Sequence, residues 1–93
     1  MADITLRGGA TAERATGAAY HADDYIIEGA ASVEVWLDDE AVNYDVRIQV
    51  VGRAAVEKPV VAGNSFWWNT DRGKAFVINV KSDAAANMQL LVG

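Results

Sequence analysis

The chain has 93 residues, no cysteine, one histidine and a formal net charge of −5. That length supports one domain, and the absence of cysteine excludes disulfides, Cys-ligated zinc and a thiol nucleophile. Alanine supplies 17 of the apolar residues, so core mass rests on the Val, Ile, Leu and Phe side chains together with three Trp and three Tyr. The acidic balance argues against a nucleic-acid partner, which needs clustered Lys and Arg. Eleven acids and four bases precede Lys58, whereas two acids and four bases lie from Lys58 onward, an asymmetry suited to a solvated surface or to contacts between copies.

Met1 to Gly9 lacks a basic segment followed by an apolar run, and no apolar stretch approaches membrane-spanning length. The expectation is a chain without a signal peptide or membrane span, cytoplasmic or part of a virion.

Ile4 to Leu6 is short and apolar, suited to an edge strand. Residues 7–24 (RGGATAERATGAAYHADD) contain Tyr20 as their only large apolar side chain, and Gly17 interrupts any helical run. They read as a Gly/Ala/Thr-rich arm or long loop that orders against a partner. Tyr25 to Glu28 is a further short strand.

From Ser32 the apolar period becomes two, the spacing of a strand with one buried face. Val33, Val35 and Leu37 alternate with Ser32, Glu34 and Trp36. After Asp38-Asp39-Glu40-Ala41, the residues Val42, Tyr44, Val46, Ile48 and Val50 alternate with polar ones, and the two runs read as a β-hairpin. Pro59 within Ala54 to Ala62 fits an edge strand or a bulge better than a central strand. Gly63-Asn64 signals a turn. Ser65-Phe66-Trp67-Trp68 is an aromatic strand left by the loop from Asn69 to Lys74. Phe76, Ile78 and Val80, followed by Met88, Leu90 and Val92, read as a second hairpin.

Seven or eight short strands with turn signals every eight to twelve residues predict an all-β, antiparallel β-sandwich, jelly-roll or immunoglobulin-like. Val35, Leu37, Tyr44, Val46, Ile48, Phe76, Ile78, Val80 and Leu90 are expected to share one core.

Catalytic signatures are weak. His21 beside Asp23 and Asp24 lacks the further His or Cys ligands that a tetrahedral metal site needs. Ser32, Ser65 and Ser82 lie outside any G-x-S-x-G context, the acids of 23–24 and 38–40 lack calcium-loop spacing, and no phosphate-cradling motif is present. No catalytic residue, metal or cofactor is therefore expected.

Trp67-Trp68 is the most informative dipeptide, because neighbouring strand side chains point to opposite faces and one indole must leave the core. Trp36 lies on the polar face of its own strand. Two outward Trp on so small a domain call for a cover, either a partner protein or a sugar stacked on the rings. The contact residues expected are Trp36, Trp67 and Trp68, with Asn64, Asn69, Asp71, Arg72 and Lys74 around them.

The run Val60-Val61-Ala62-Gly63-Asn64-Ser65-Phe66-Trp67, then Ala75-Phe76-Val77-Ile78-Asn79-Val80 and the final Leu90-Leu91-Val92, resembles the closing strands of jelly-roll and immunoglobulin-like accessory modules. Those families include carbohydrate-binding domains and virion decoration modules. The short, acidic, cysteine-free chain with its arm looks like a phage head decoration (cement) protein, a resemblance that implies capsid subunits as partners and self-association. The expected function is a non-enzymatic module that stabilises a larger assembly, such as a virion lattice; the alternative is a carbohydrate-binding module using the exposed Trp residues.

Overall fold

A computed structural model describes residues 3–69 and 74–93. The strands are β1 (Ile4–Arg7), β2 (Thr11–Thr16), β3 (Tyr25–Glu28), β4 (Ser32–Leu37), β5 (Tyr44–Val50), β6 (Val56–Val60), β7 (Phe66–Asn69), β8 (Phe76–Ser82) and β9 (Ala86–Val92). They form a five-stranded sheet, β1-β3-β8-β5-β6, and a four-stranded sheet, β2-β9-β4-β7. From β2 onward the pairing is nested: β2 with β9, β3 with β8, β4 with β7 and β5 with β6. This is jelly-roll topology, which distinguishes the fold from an immunoglobulin-like one. All pairs are antiparallel except β1 with β3, a parallel pair at the rim.

The alternation of apolar residues sets the faces. All nine expected core residues are buried, joined by Tyr25, Ile27, Val33, Met88 and Val92 among others. Pro59 lies in edge strand β6, where a missing N–H breaks no interior ladder. Gly52 (φ +83°) and Gly63 (φ +85°) supply the left-handed backbone of the turns after β5 and β6, a conformation costly for other residues. The following N–H groups close these turns, Arg53 N to Val50 O at 2.9 Å and Asn64 N to Val61 O at 3.1 Å.

Both expected hairpins are replaced by crossings between sheets. Strand β4 pairs with β7 and β9, while β5 pairs with β6 and β8. The apolar faces of β4 and β5 belong to different sheets of one sandwich, and residues 38–43 carry the chain across. Asp38 anchors the crossing: its Oδ1 accepts from Asn87 N (2.9 Å) and its Oδ2 from Asn87 Nδ2 (3.2 Å). These bonds hold the Asp38 carboxyl below its ordinary pKa. Likewise β8 and β9 run in opposite sheets. Alternation defines which face a strand buries but leaves its hydrogen-bonding partner open, and the jelly roll resolves that ambiguity.

The expected arm at residues 7–24 is also corrected. Thr11–Thr16 is β2, a six-residue edge strand in register with β9 from Thr11–Leu91 to Thr16–Ala86. Ala12 and Arg14 turn toward the core, and Arg14 places its guanidinium 4.4 Å from the Tyr25 ring centroid. Burial lowers the Arg14 pKa, offset in part by Tyr25 and the nearby acids. A small side chain suffices where β2 needs only to cap the end of the core, so the stretch lacks the large apolar residues that signal a strand.

Residues 17–24 then pack on the five-stranded sheet around Asn79, a buried amide on β8 with 1% exposure. Asn79 Nδ2 donates to His21 O (2.9 Å) and Asp24 Oδ1 (2.7 Å). Its Oδ1 accepts from His21 N (3.1 Å), Arg14 (3.2 Å) and Val80 N (2.8 Å). Asp24 also pairs with Arg47 at 3.1 Å, and Tyr20 lies against Arg47 and Lys81, 4.4 and 5.0 Å from its ring centroid.

Ile48→Ala or Ile78→Ala is expected to destabilise the fold by about 2–5 kcal/mol in urea melts, since each leaves a cavity in a closed core. Asn79→Ala leaves several buried groups unpaired and is expected to cost about 1–3 kcal/mol. Limited proteolysis tests the same network: residues 11–24 are expected to resist cleavage in the wild type, with cuts between 17 and 24 appearing first in Asn79→Ala.

Candidate functional site

The two sheets differ in how their outer faces are covered. Residues 17–24 lie over part of the five-stranded sheet. On the four-stranded sheet, strand alternation directs Glu34 and Trp36 of β4, Trp67 and Asn69 of β7, Gln89 and Leu91 of β9, and Thr11 and Glu13 of β2 outward. Trp67 is 60% exposed, Leu91 40% and Trp36 36%.

These side chains are neighbours by register. Glu34 is opposite Trp67 on one side and Leu91 on the other, and Trp36 is two residues further along β4. The result is an apolar surface of two indoles and one leucine around a single carboxylate. Other exposed large apolar residues lie elsewhere: Ile4 on the rim strand, Val51 and Val61 in turns, and Val56 on edge strand β6. Cross-strand side chains on one face stand about 4.5–5.5 Å apart at Cβ, close enough to present a continuous surface.

Trp68 has the opposite orientation. It is half-buried against the core, paired with Val33, and stacked on Phe66 with ring centroids 6.4 Å apart and planes 13° from parallel. Its place is structural, leaving Trp67 as the outward indole of the dipeptide. Asn69 is exposed at the end of β7 opposite Ser32. Asn64 is exposed in the turn beyond Gly63, and Lys74 is exposed just before β8, in the chain leading to the other sheet. Asp71 and Arg72 lie outside the described residues. Leu91 and Glu34 were not singled out by sequence reasoning. Leu91 follows Leu90 in a final apolar run, and only the register of β9 against β4 shows that it joins the Trp surface.

Beside Trp36 the face falls away into a shallow groove of about 220 Å³, walled by Trp36, Leu37, Asp39, Glu40, Tyr44, Gly63, Asn64 and Ser65. Tyr44 forms its inner wall. The hydroxyl donates to Asn64 O at 2.6 Å, tying β5 to the turn before β7. Burial, with the nearby charge of Glu34, pushes the Tyr44 phenol up to about 12. Burial also raises Tyr20 to about 12, reinforced by Glu57 and Asp45.

The arrangement offers stacking, apolar contact and carboxylate acceptors. His21 sits apart from it, its Nδ1 accepting from Asp23 N at 3.0 Å within an exposed turn. Among the described residues, no group of three or more His, Cys, Asp or Glu converges on a point.

No protein-family model matches the sequence, and no curated protein sequence matches it. The structure is similar to that of Drosophila melanogaster CENP-C bound to CAL1, with a TM-score of 0.55 and 10% identity over 89% of this chain and 64% of the other. A Drosophila melanogaster CENP-C cupin domain gives a TM-score of 0.45 and 10% identity, over 95% of this chain and 56% of that one. The present chain thus spans less than two thirds of either. At such identity the first likeness establishes a shared all-β architecture.

The raised tyrosines determine the alkaline behaviour. A folded-state phenol near 12 against an ordinary value of 10 disfavours the phenolate in the folded state, so the stabilisation is complete below pH 10 and declines as pH rises toward 12. Urea melts at pH 9 and pH 11 are expected to show lower stability at pH 11. Tyr44→Phe is expected to flatten that dependence, alongside a constant loss from the missing hydrogen bond to Asn64.

Proposed function

We propose that this protein is a non-enzymatic interaction module that docks a protein partner on the outer face of its four-stranded sheet. The carrying observation is the convergence of Trp36, Trp67 and Leu91 on one face, while the core beneath is filled without them. Exposed aromatic residues clustered on a rigid sheet have the composition of an interface hot spot, where Trp contributes large area at little conformational cost. In the structurally similar CENP-C complex, a fold of this kind is bound to another protein, CAL1.

Decoration of a virion lattice is the narrower form of this reading. Small size, net negative charge and the jelly-roll topology, a fold used in viral capsid and lectin domains, support it. An ordering arm no longer contributes, because Thr11–Thr16 is already paired within the domain. The sheet face takes over the part assigned to the arm, and contact with a lattice of other subunits would proceed through it.

A carbohydrate ligand is the second reading, favoured by one feature: the groove beside Trp36 sets Asp39, Glu40 and Asn64 next to an indole, the groups used to hold sugar hydroxyls over a stacked ring.

Selection of a random dodecapeptide display library on the immobilised domain separates the readings. Binders are expected that weaken about thirtyfold on Trp67→Ala, the loss for a 2 kcal/mol hot spot, with unchanged urea melts. A broad glycan array is expected to stay blank. Binding to glycans that depends on Trp36 would replace the protein-docking reading, and a library yielding no Trp-dependent peptide would remove its support.

A further inference from the structure

We infer that the partner of this face inserts a basic side chain, an arginine guanidinium, between Trp36 and Trp67 to pair with Glu34. The inference rests on the docking reading above and specifies its chemistry. Glu34 stands at the centre of the apolar surface, flanked by Trp67 and Leu91 on the two neighbouring strands. Glu13, the other outward carboxylate of this sheet, is engaged by Gln89, and elsewhere Asp24 is held by Asn79 and Arg47, Glu28 by Arg7 and Asp38 by Asn87. Glu34 forms no hydrogen bond or ion pair with the described residues. The outward positions of β2, β9, β4 and β7 include Glu13 and Glu34 and no Lys or Arg, whereas Arg47 and Lys81 stand on the opposite sheet.

A partner covering the indoles strips water from Glu34, and a desolvated carboxylate without a counter-charge opposes binding. A wholly apolar partner is therefore a poor fit. A second copy docked symmetrically through the same face brings Glu34 toward its own image, adding like-charge repulsion to the same desolvation. A cation from a different chain removes both penalties. Guanidinium suits the geometry better than ammonium, because its plane stacks on an indole while its edge donates two parallel hydrogen bonds to a carboxylate.

The peptides selected above provide the test. Trp67-dependent binders are expected to share an arginine at one position. Replacing that arginine by citrulline, which keeps the shape and loses the charge, is expected to weaken binding at least tenfold, as is Glu34→Gln with its melt unchanged. The control Glu57→Gln on the opposite sheet is expected to leave affinity within twofold. Selection on Glu34→Lys is expected to replace the shared arginine with aspartate or glutamate. Trp67-dependent binders without a shared basic residue, or binders indifferent to citrulline, overturn the arginine inference and leave the docking face standing. Equal losses from Glu57→Gln and Glu34→Gln overturn it in favour of the protein's general field. A Trp67-dependent dimer in sedimentation velocity overturns it in favour of a second copy.

Discussion

The buried amide of Asn79 decides what becomes of the segment between β2 and β3. Its donors and acceptors are met by His21, Asp24, Arg14 and the backbone of Val80, so the same side chain satisfies groups from both sheets. With those bonds in place, residues 17–24 lie on the five-stranded sheet, Tyr20 rests on Arg47 and Lys81, and β2 is held beside β9 as the closing edge of the other sheet. A polar network in this position is effective because every member reduces the desolvation cost of the next. It also leaves the two outer faces unequal: one is partly covered by the protein's own chain, and the other presents Trp36, Trp67 and Leu91.

That inequality connects the fold to the proposed function. The core closes on aliphatic residues, Phe76, Tyr44 and Tyr25, with Phe66 and Trp68 packed against its margin. Trp36 and Trp67 therefore contribute little to holding the sheets together, and under the proposed docking reading their exposure is a cost in solubility that burial on a partner repays. The sheet beneath them is rigid through its ladders on both sides of β4, so under the same reading the indoles are positioned before a partner arrives and binding sacrifices less conformational freedom.

The strand faces were legible in the sequence because period-two alternation records burial directly: Val33, Val35 and Leu37 on β4, and Tyr44, Val46 and Ile48 on β5, are inward as the pattern requires. Strand partnership was not legible. A polar connection of six residues serves a hairpin or a crossing between sheets equally well, and the choice at residues 38–43 depends on the distant pairing of β4 with β9, which Asp38 extends onto Asn87. Strand β2 was hidden for a related reason. Its inward residues are Ala12, Arg14 and Thr16, so its place depends on Arg14 reaching Tyr25 and Asn79 and on the Thr16 hydroxyl meeting Ser82 at 2.7 Å, contacts far apart in the chain.

The exposed aromatic face shows the same division between local and long-range information. Alternation alone places Trp36 outward and forces one indole of Trp67-Trp68 to follow, but it is the antiparallel register of β7 and β9 against β4 that brings Trp67 and Leu91 to either side of Glu34. A shift of β7 by one residue would turn Trp67 inward and Trp68 outward, disturbing the core and the surface together. The Phe66–Trp68 stack against the core opposes that shift, since a one-residue slip would turn both rings to the outer side of β7. The packing that secures the fold at this edge thereby also fixes which indole is exposed, and, on the docking reading proposed above, which carboxylate a partner meets beside it.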